Sequence, residues 1–200
     1  DPGYDTKDVF TFQFAPEQDR LKDGPTWAQF HVDFMNRLRN LPGVTTVGLV
    51  ENVPLNEGTQ TGRFVSQENR DAESGTLLNF TWTAGDYFQA MGIRVLRGRP
   101  FTTDETIRTP GSVVISQSAA NQLWPGQDPI GRRLMEQGDS TWNTVVGVVG
   151  DVMQDGFRDT PQAVVYFPLI GPTPDAWAVG TPAYVLKTPR AETIAPEVRA

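Results

Sequence analysis

Two helical stretches, each flanked by β-branched or aromatic runs and each stopped by a Pro-Gly pair, limit what this chain can fold into. The first run, residues 9–14, reads Val-Phe-Thr-Phe-Gln-Phe and suits a strand with one buried face. Trp27, Phe30, Phe34, Leu38 and Leu41 then recur at three- and four-residue steps, which puts one apolar stripe on a helix. Pro25 suits its first turn, Pro42-Gly43 ends it, and 44–50 reads as the next strand. The pattern returns with a strand at 112–116, a helix at 118–124 ended by Pro125-Gly126, and a strand at 142–149. Strand, helix and strand repeated in this way predict an α+β fold, with helices laid across a sheet. No tandem repeat of fixed period accompanies them.

Between and after these units the signals are weaker. Residues 54–75 turn polar and read as an exposed excursion, with a short strand at 63–66. Strand character resumes at 77–83. Tyr87, Phe88 and Met91 fit a short helix closed by Gly92, and Gly98 and Pro100 mark a turn. Further strands are expected at 163–167 and 183–187, and a last helix near Ala191. The 19 Gly and 16 Pro punctuate apolar runs without period, so they read as turns. With 38% hydrophobic residues and five Trp, 200 residues suffice to bury a core. No stretch approaches the ~20 apolar residues of a membrane helix. The start at Asp1, without Met or leader, and the end at Val198-Arg199-Ala200 read as an excised piece of something longer.

Charge and composition exclude several functions. A net charge of −7 disfavours tracking of nucleic-acid phosphates and of anionic lipid. The absence of Cys removes disulfides, thiolate zinc sites and Cys nucleophiles together. The single His31 sits beside the first helical stripe and reads as a packing residue, because a zinc site here would need carboxylates for nearly all its ligands. No Gly-x-Ser-x-Gly elbow is present to activate Ser112, Ser116 or Ser118. Gly147 to Asp151 lacks the spacing of a phosphate loop. The Asp151, Asp155 and Asp159 series carries Met153 at a ligand position of a calcium loop and Gln162 in place of its closing Glu, so it reads as a polar turn. Convergent carboxylates remain a hydrolase alternative, but 24 acidic residues make coincidence cheap.

Two features suggest contact surfaces. Arg94, Arg97, Arg99, Arg132 and Arg133 concentrate positive charge in an acidic chain, either as a docking face or paired locally with Asp104 and Glu105. Trp27, Trp82, Trp124 and Trp142 lie in apolar periodicity and read as core. Trp177, in the Pro-rich stretch 171–182, reads as a contact. The candidate contact residues are therefore Trp177, Arg97 and Arg99, with no catalytic, cofactor or metal residue.

A series of motifs carries a family resemblance. It runs from Gly85-Asp86-Tyr87-Phe88-Gln89-Ala90-Met91-Gly92-Ile93 through Leu96-Arg97-Gly98-Arg99-Pro100-Phe101, Leu123-Trp124-Pro125-Gly126 and Asp128-Pro129-Ile130-Gly131-Arg132-Arg133-Leu134 to Tyr166-Phe167-Pro168. In order and approximate spacing it resembles the periplasmic core domain of MacB/FtsX-like ABC-transporter permeases, and looks nearest to the orphan MacB-like permeases of soil bacteria. The resemblance implies a porter-like β-α-β part, 1–91 and 151–200, with a smaller Sabre-like αβ part inserted at 92–150. It also implies a position on the extracytoplasmic face of the inner membrane, with the protein's own membrane helices flanking this domain. Expected partners are a cytoplasmic ATPase subunit or domain that hydrolyses ATP, a second permease copy and a periplasmic adaptor. The implied role is mechanotransmission: coupling of ATP-driven membrane motion to export or release of a substrate, without enzymatic activity or a bound cofactor. A lipid- or peptide-capturing module is the alternative.

Overall fold

In the computed structural model the described residues are 2–14, 24–54, 60–70, 74–107, 111–153, 162–169 and 181–199. The first sequence unit forms β1 (Val9–Gln13), α1 (Gly24–Arg39) and β2 (Thr46–Val50). Its two strands are parallel but not adjacent. β10 (Ala183–Lys187) lies between them, antiparallel to both, so the chain's last strand is fed into its first unit.

The longest strand, β4 (Thr76–Gly85), joins this open sheet to the rest. Its C-terminal end pairs with β2 and its N-terminal half with β3 (Gln60–Ser66), both antiparallel along one edge. Its other edge pairs in parallel with β9 (Val164–Pro168). From β3 the pairing continues to β7 (Arg133–Glu136), β8 (Asn143–Val149), β6 (Ser112–Ser116) and β9, which returns it to β4. Six strands thus form a closed ring, and closure removes the exposed edges that an open sheet must protect. The second sequence unit, with α4 (Gln117–Leu123) between β6 and β8, forms a parallel pair within this ring. β5 (Val95–Gly98) lies end to end with β7 along one edge of β8.

Alternation along the strands places the core. Leu78, Phe80, Trp82 and Ala84 of β4 face inward with Phe64, Val113, Ile115, Leu134, Val165 and Phe167. Phe80 meets Trp82 edge to face at 5.4 Å and Phe64 at 6.0 Å, contacts worth ~0.5–1.5 kcal/mol each beyond their burial. The same cluster continues under α1 through Val47, Leu49, Tyr184 and Leu186. On the opposite sheet face the short α2 (Tyr87–Ala90) packs Tyr87, Phe88 and Met91 over Val50, Val114, Val185 and Tyr166. It comes so close that a Cβ on Gly48 would lie 2.3 Å from the Tyr87 Cα.

The structure departs from the sequence reading in definite places. The short strand expected at 63–66 is present as β3 but starts earlier, at Gln60, and it is a ring strand with Phe64 and Val65 buried, so this part of 54–75 is not an exposed excursion. The expected turn near Gly98 is the end of β5, and neither β7 nor the short α3 (Thr103–Ile107) carries a strong periodic signal. On α1 the buried face runs through Trp27, Ala28, His31, Met35 and Leu38, leaving Phe30 and Phe34 half-buried at its flank. Trp27, Trp82 and Trp124 are core as expected, whereas Trp142 is half-buried. The last helix, α5 (Ala195–Arg199), starts four residues beyond Ala191.

Candidate interaction surfaces

Positive φ at Gly92 and Gly98 lets the chain turn into and out of β5, and a Cβ on Gly98 would meet the Val146 carbonyl oxygen at 2.2 Å. β5 brings Arg97 and Arg99 onto one strand end beside the exposed Val95 and Leu96. Each arginine is also held by a neighbour. Arg97 Nη2 donates to Gln117 Oε1 at 3.0 Å. Arg99 donates from both Nη atoms to Glu105, at 2.7 and 3.0 Å. The Glu105 carboxylate also accepts from the Thr102 backbone N–H at 2.8 Å and from Ser112 Oγ at 2.7 Å. Arg99 leads the causes that hold its pKa down to about 2. Arg99 nevertheless keeps half of its side chain exposed, so the pair fixes the guanidinium while leaving a face open.

The remaining basic residues do not all join this surface. Arg132 donates to Glu68 at 2.6 Å, and Glu68 also accepts from Trp124 Nε1 at 3.1 Å, a network that ties the β7 approach to the turn after β3. Trp177 lies outside the described residues, as does most of the 151–159 series. Asp151 itself caps α4, accepting from the Ser118 backbone N–H and hydroxyl, both at 2.8 Å.

Two further surfaces were not singled out from sequence. A cleft of ≈ 760 Å³ opens between β1, α1 and α5, walled by Phe10, Phe12, Phe14, Phe34, Leu41 and Val198, with Arg37 and Arg199 exposed at its margin. Its sequence signal is the alternation Phe10, Phe12, Phe14, visible as strand character but not as a cleft wall. A smaller hollow of ≈ 350 Å³ lies by α2 and β5, walled by Phe88, Ile93, Val95 and Phe101.

The residues weighed for chemistry have structural uses. His31 is wholly buried against Trp27 and hydrogen-bonds through Nδ1 to the Tyr184 hydroxyl, and burial holds its pKa down at about 3. Ser116 Oγ accepts from the Ala119 and Val164 backbone N–H groups at 3.2 and 3.0 Å, which spends it on a helix cap and a strand junction. Among the described residues no group of three or more His, Asp or Glu side chains is placed to hold a metal ion. No helix among them is long and apolar enough to cross a membrane.

The described residues form a closed strand ring that shares one long strand with an open sheet, and the family match gives the class of protein: the extracytoplasmic domain of a MacB-like ABC-transporter permease. Residues 4–195 match the model of the MacB-like periplasmic core domain, and the chain belongs to that family. The fold is similar to the periplasmic region of MacB from Actinobacillus actinomycetemcomitans, at a TM-score of 0.61 and 18% identity, covering 98% of this chain and 81% of that one. It is also similar to the extracellular domain of the noncanonic ABC-type transporter YknZ from Gram-positive bacteria, at 0.57 and 16%, covering 94% and 87%. No curated protein matches the chain in sequence.

Proposed function

We propose that this domain performs mechanotransmission: it couples ATP-driven motion of membrane helices to the export or release of a substrate outside the cytoplasm. The observation that carries the reading is the family match across residues 4–195. ATP is hydrolysed in this scheme by a separate cytoplasmic nucleotide-binding subunit or domain. The domain's own flanking membrane helices, a second permease copy and a periplasmic adaptor complete the assembly. The domain itself is no enzyme and binds no cofactor. The division into a porter-like part, 1–91 and 151–200, and an inserted Sabre-like part, 92–150, is part of this reading; β6, β7 and β8 of the insert complete a ring with β3, β4 and β9, so the two parts share a core. Arg97, Arg99 and Trp177 are proposed as partner or substrate contacts.

The test uses the intact permease with its ATPase in membrane vesicles. Replacing residues 4–195 by a short flexible linker is expected to abolish ATP-dependent substrate movement while ATP hydrolysis continues. Undiminished transport would overturn the reading.

The second reading, an extracytoplasmic module that captures lipid or peptide, is favoured by the aromatic cleft beside β1. It predicts that the purified chain retains lipid or peptide detectable by native mass spectrometry, whereas the first reading predicts a ligand-free mass.

A further inference from the structure

The floor of the aromatic cleft is also an edge of the sheet. β1 pairs with β10 on one side, and no described strand lies on the other. The Phe14 N–H donates to the Pro182 carbonyl and the Asp8 carbonyl accepts from the Thr188 N–H, so the even-numbered residues of β1 exchange hydrogen bonds with the β10 side. The N–H and C=O groups of Val9, Thr11 and Gln13 therefore point outward. Open edges are ordinarily guarded by charge, Pro, bulges or brevity. β5, the other open edge among the described strands, spans four residues, is bulged at Leu96 and bears Arg97. From Val9 to Gln13, β1 carries no charge, Pro or bulge.

Beside that edge the side chains grade from apolar to positive. Phe14 meets Phe30 at 6.3 Å and Phe34 at 5.2 Å, and Phe12 meets Phe34 at 6.4 Å, so the earlier turns of α1 lie over the C-terminal end of β1. Arg37, three residues beyond Phe34, continues that stripe of the helix toward the Phe10 end, where Arg199 of α5 joins the cleft wall. Both arginines are exposed, and neither has a hydrogen-bond or ion-pair partner among the described residues. Glu197, the one acidic side chain lining the cleft among the described residues, is taken up by Arg190. Phe14 stays 40% exposed, so the apolar end of the floor is uncovered as well.

We propose that β1 and the cleft together receive an extended peptide from another protein, added antiparallel to the edge of the sheet. In this mode main-chain hydrogen bonds supply affinity, and pockets for alternate side chains supply selectivity. Val9, Thr11 and Gln13 exchange hydrogen bonds with three peptide residues whose side chains lie on the far face of the sheet. The peptide residues between and before them place their side chains on the cleft face, beside Phe14, Phe12 and Phe10 in turn. The first two meet Phe30 and Phe34 and are apolar; the third, toward Arg37 and Arg199, is acidic. Antiparallel addition also carries the peptide's C-terminal end to the cationic side. A lipid chain fills an apolar cleft but leaves a row of backbone donors and acceptors unused, so the open edge favours a peptide. The inference rests on the second reading above, capture at this cleft, and narrows it to one ligand class and one binding geometry.

The test is fluorescence anisotropy with the chain and an N-terminally labelled probe peptide, Thr-Val-Thr-Leu-Thr-Glu-Thr, whose Val, Leu and Glu fall beside Phe14, Phe12 and Phe10. Saturable binding is expected. N-methylation of the last three Thr removes the amides that face β1 and is expected to abolish binding, whereas N-methylation of Val, Leu and Glu, whose amides face away, is expected to preserve it. Thr11→Pro removes an N–H that β10 does not use, a change that edge strands accept, and is expected to abolish peptide binding with an unchanged circular dichroism spectrum. Arg37→Glu is expected to weaken binding about tenfold at low salt. Dansyl-undecanoate serves as the lipid probe. Its binding without that of the peptide would overturn the proposal and leave capture at the cleft standing; binding of neither, up to millimolar concentration, would overturn both. Equal binding of the two methylated peptides would refute edge addition, however any variant folds.

Discussion

His31 shows how far a single residue can be read. Its isolation in the sequence and its place beside the α1 stripe mark a packing histidine, and the structure buries it fully. Its partner was not legible: Tyr184 lies 153 residues away, in a strand that reaches β1 only through the folded topology. Burial holds the imidazole down at about 3, against an ordinary value of 6.5, so the folded state keeps it neutral. Between those two values the unfolded chain binds a proton that the fold refuses, and stability falls as pH is lowered. The contribution is whole above pH 6.5 and is lost progressively on the way to 3. Glu105, held down at about 2 from an ordinary 4.5, contributes loss of the same sign only further into acid. Thermal unfolding followed from pH 7 to pH 4.5 is therefore expected to show a falling melting temperature in the wild type and a flatter profile in His31→Gln, which does not titrate. Parallel profiles would refute this assignment.

At the scale of the element, legibility followed local pattern. The α1 and α4 units, β4, β8 and the helix closed by Gly92 all carry periodicity or stop signals in their own residues. β5 and β7 do not, and of β3 only 63–66 read as a strand; its full length depends on β4 and β7, which flank it and are distant in sequence. The contact surfaces divide the same way. Arg97 and Arg99 were legible as charge and Glu105 as a local partner, which Arg99 takes up, whereas the aromatic cleft was not legible, since it needs β1, α1 and α5 brought together from separate stretches. Gly48 is an element-scale position hidden in a strand. Its missing side chain lets the first turn of α2 sit directly on β2. Gly48→Ala must push Tyr87 outward from its fully buried site, and overpacking of this kind costs ~1–3 kcal/mol. Chemical denaturation is expected to show that loss, while Gly126→Ala, at a position with open space around it, is expected to cost less despite its positive φ. Equal losses would show that the approach of α2 is not what Gly48 protects.

For the whole molecule, the closed ring and the open sheet predict a gradient of local stability. Amide hydrogen exchange is expected to be slowest in β4, β6 and β9, whose neighbours lie on both sides within the core, and fastest in β1, which among the described strands pairs with β10 alone. Uniform protection across the ten described strands would contradict the topology. The number of strands in the ring was not legible, because ring closure depends on β9 meeting both β4 and β6, pairings that no local pattern announces.

β4 runs ten residues, roughly 33 Å at the rise of an extended chain, and serves both the ring and the open sheet without interruption. In mechanical terms it is a shared beam rather than a hinge pin. A load applied through β2, which pairs with the C-terminal end of β4, travels along covalent backbone into the ring, so the two regions tilt together.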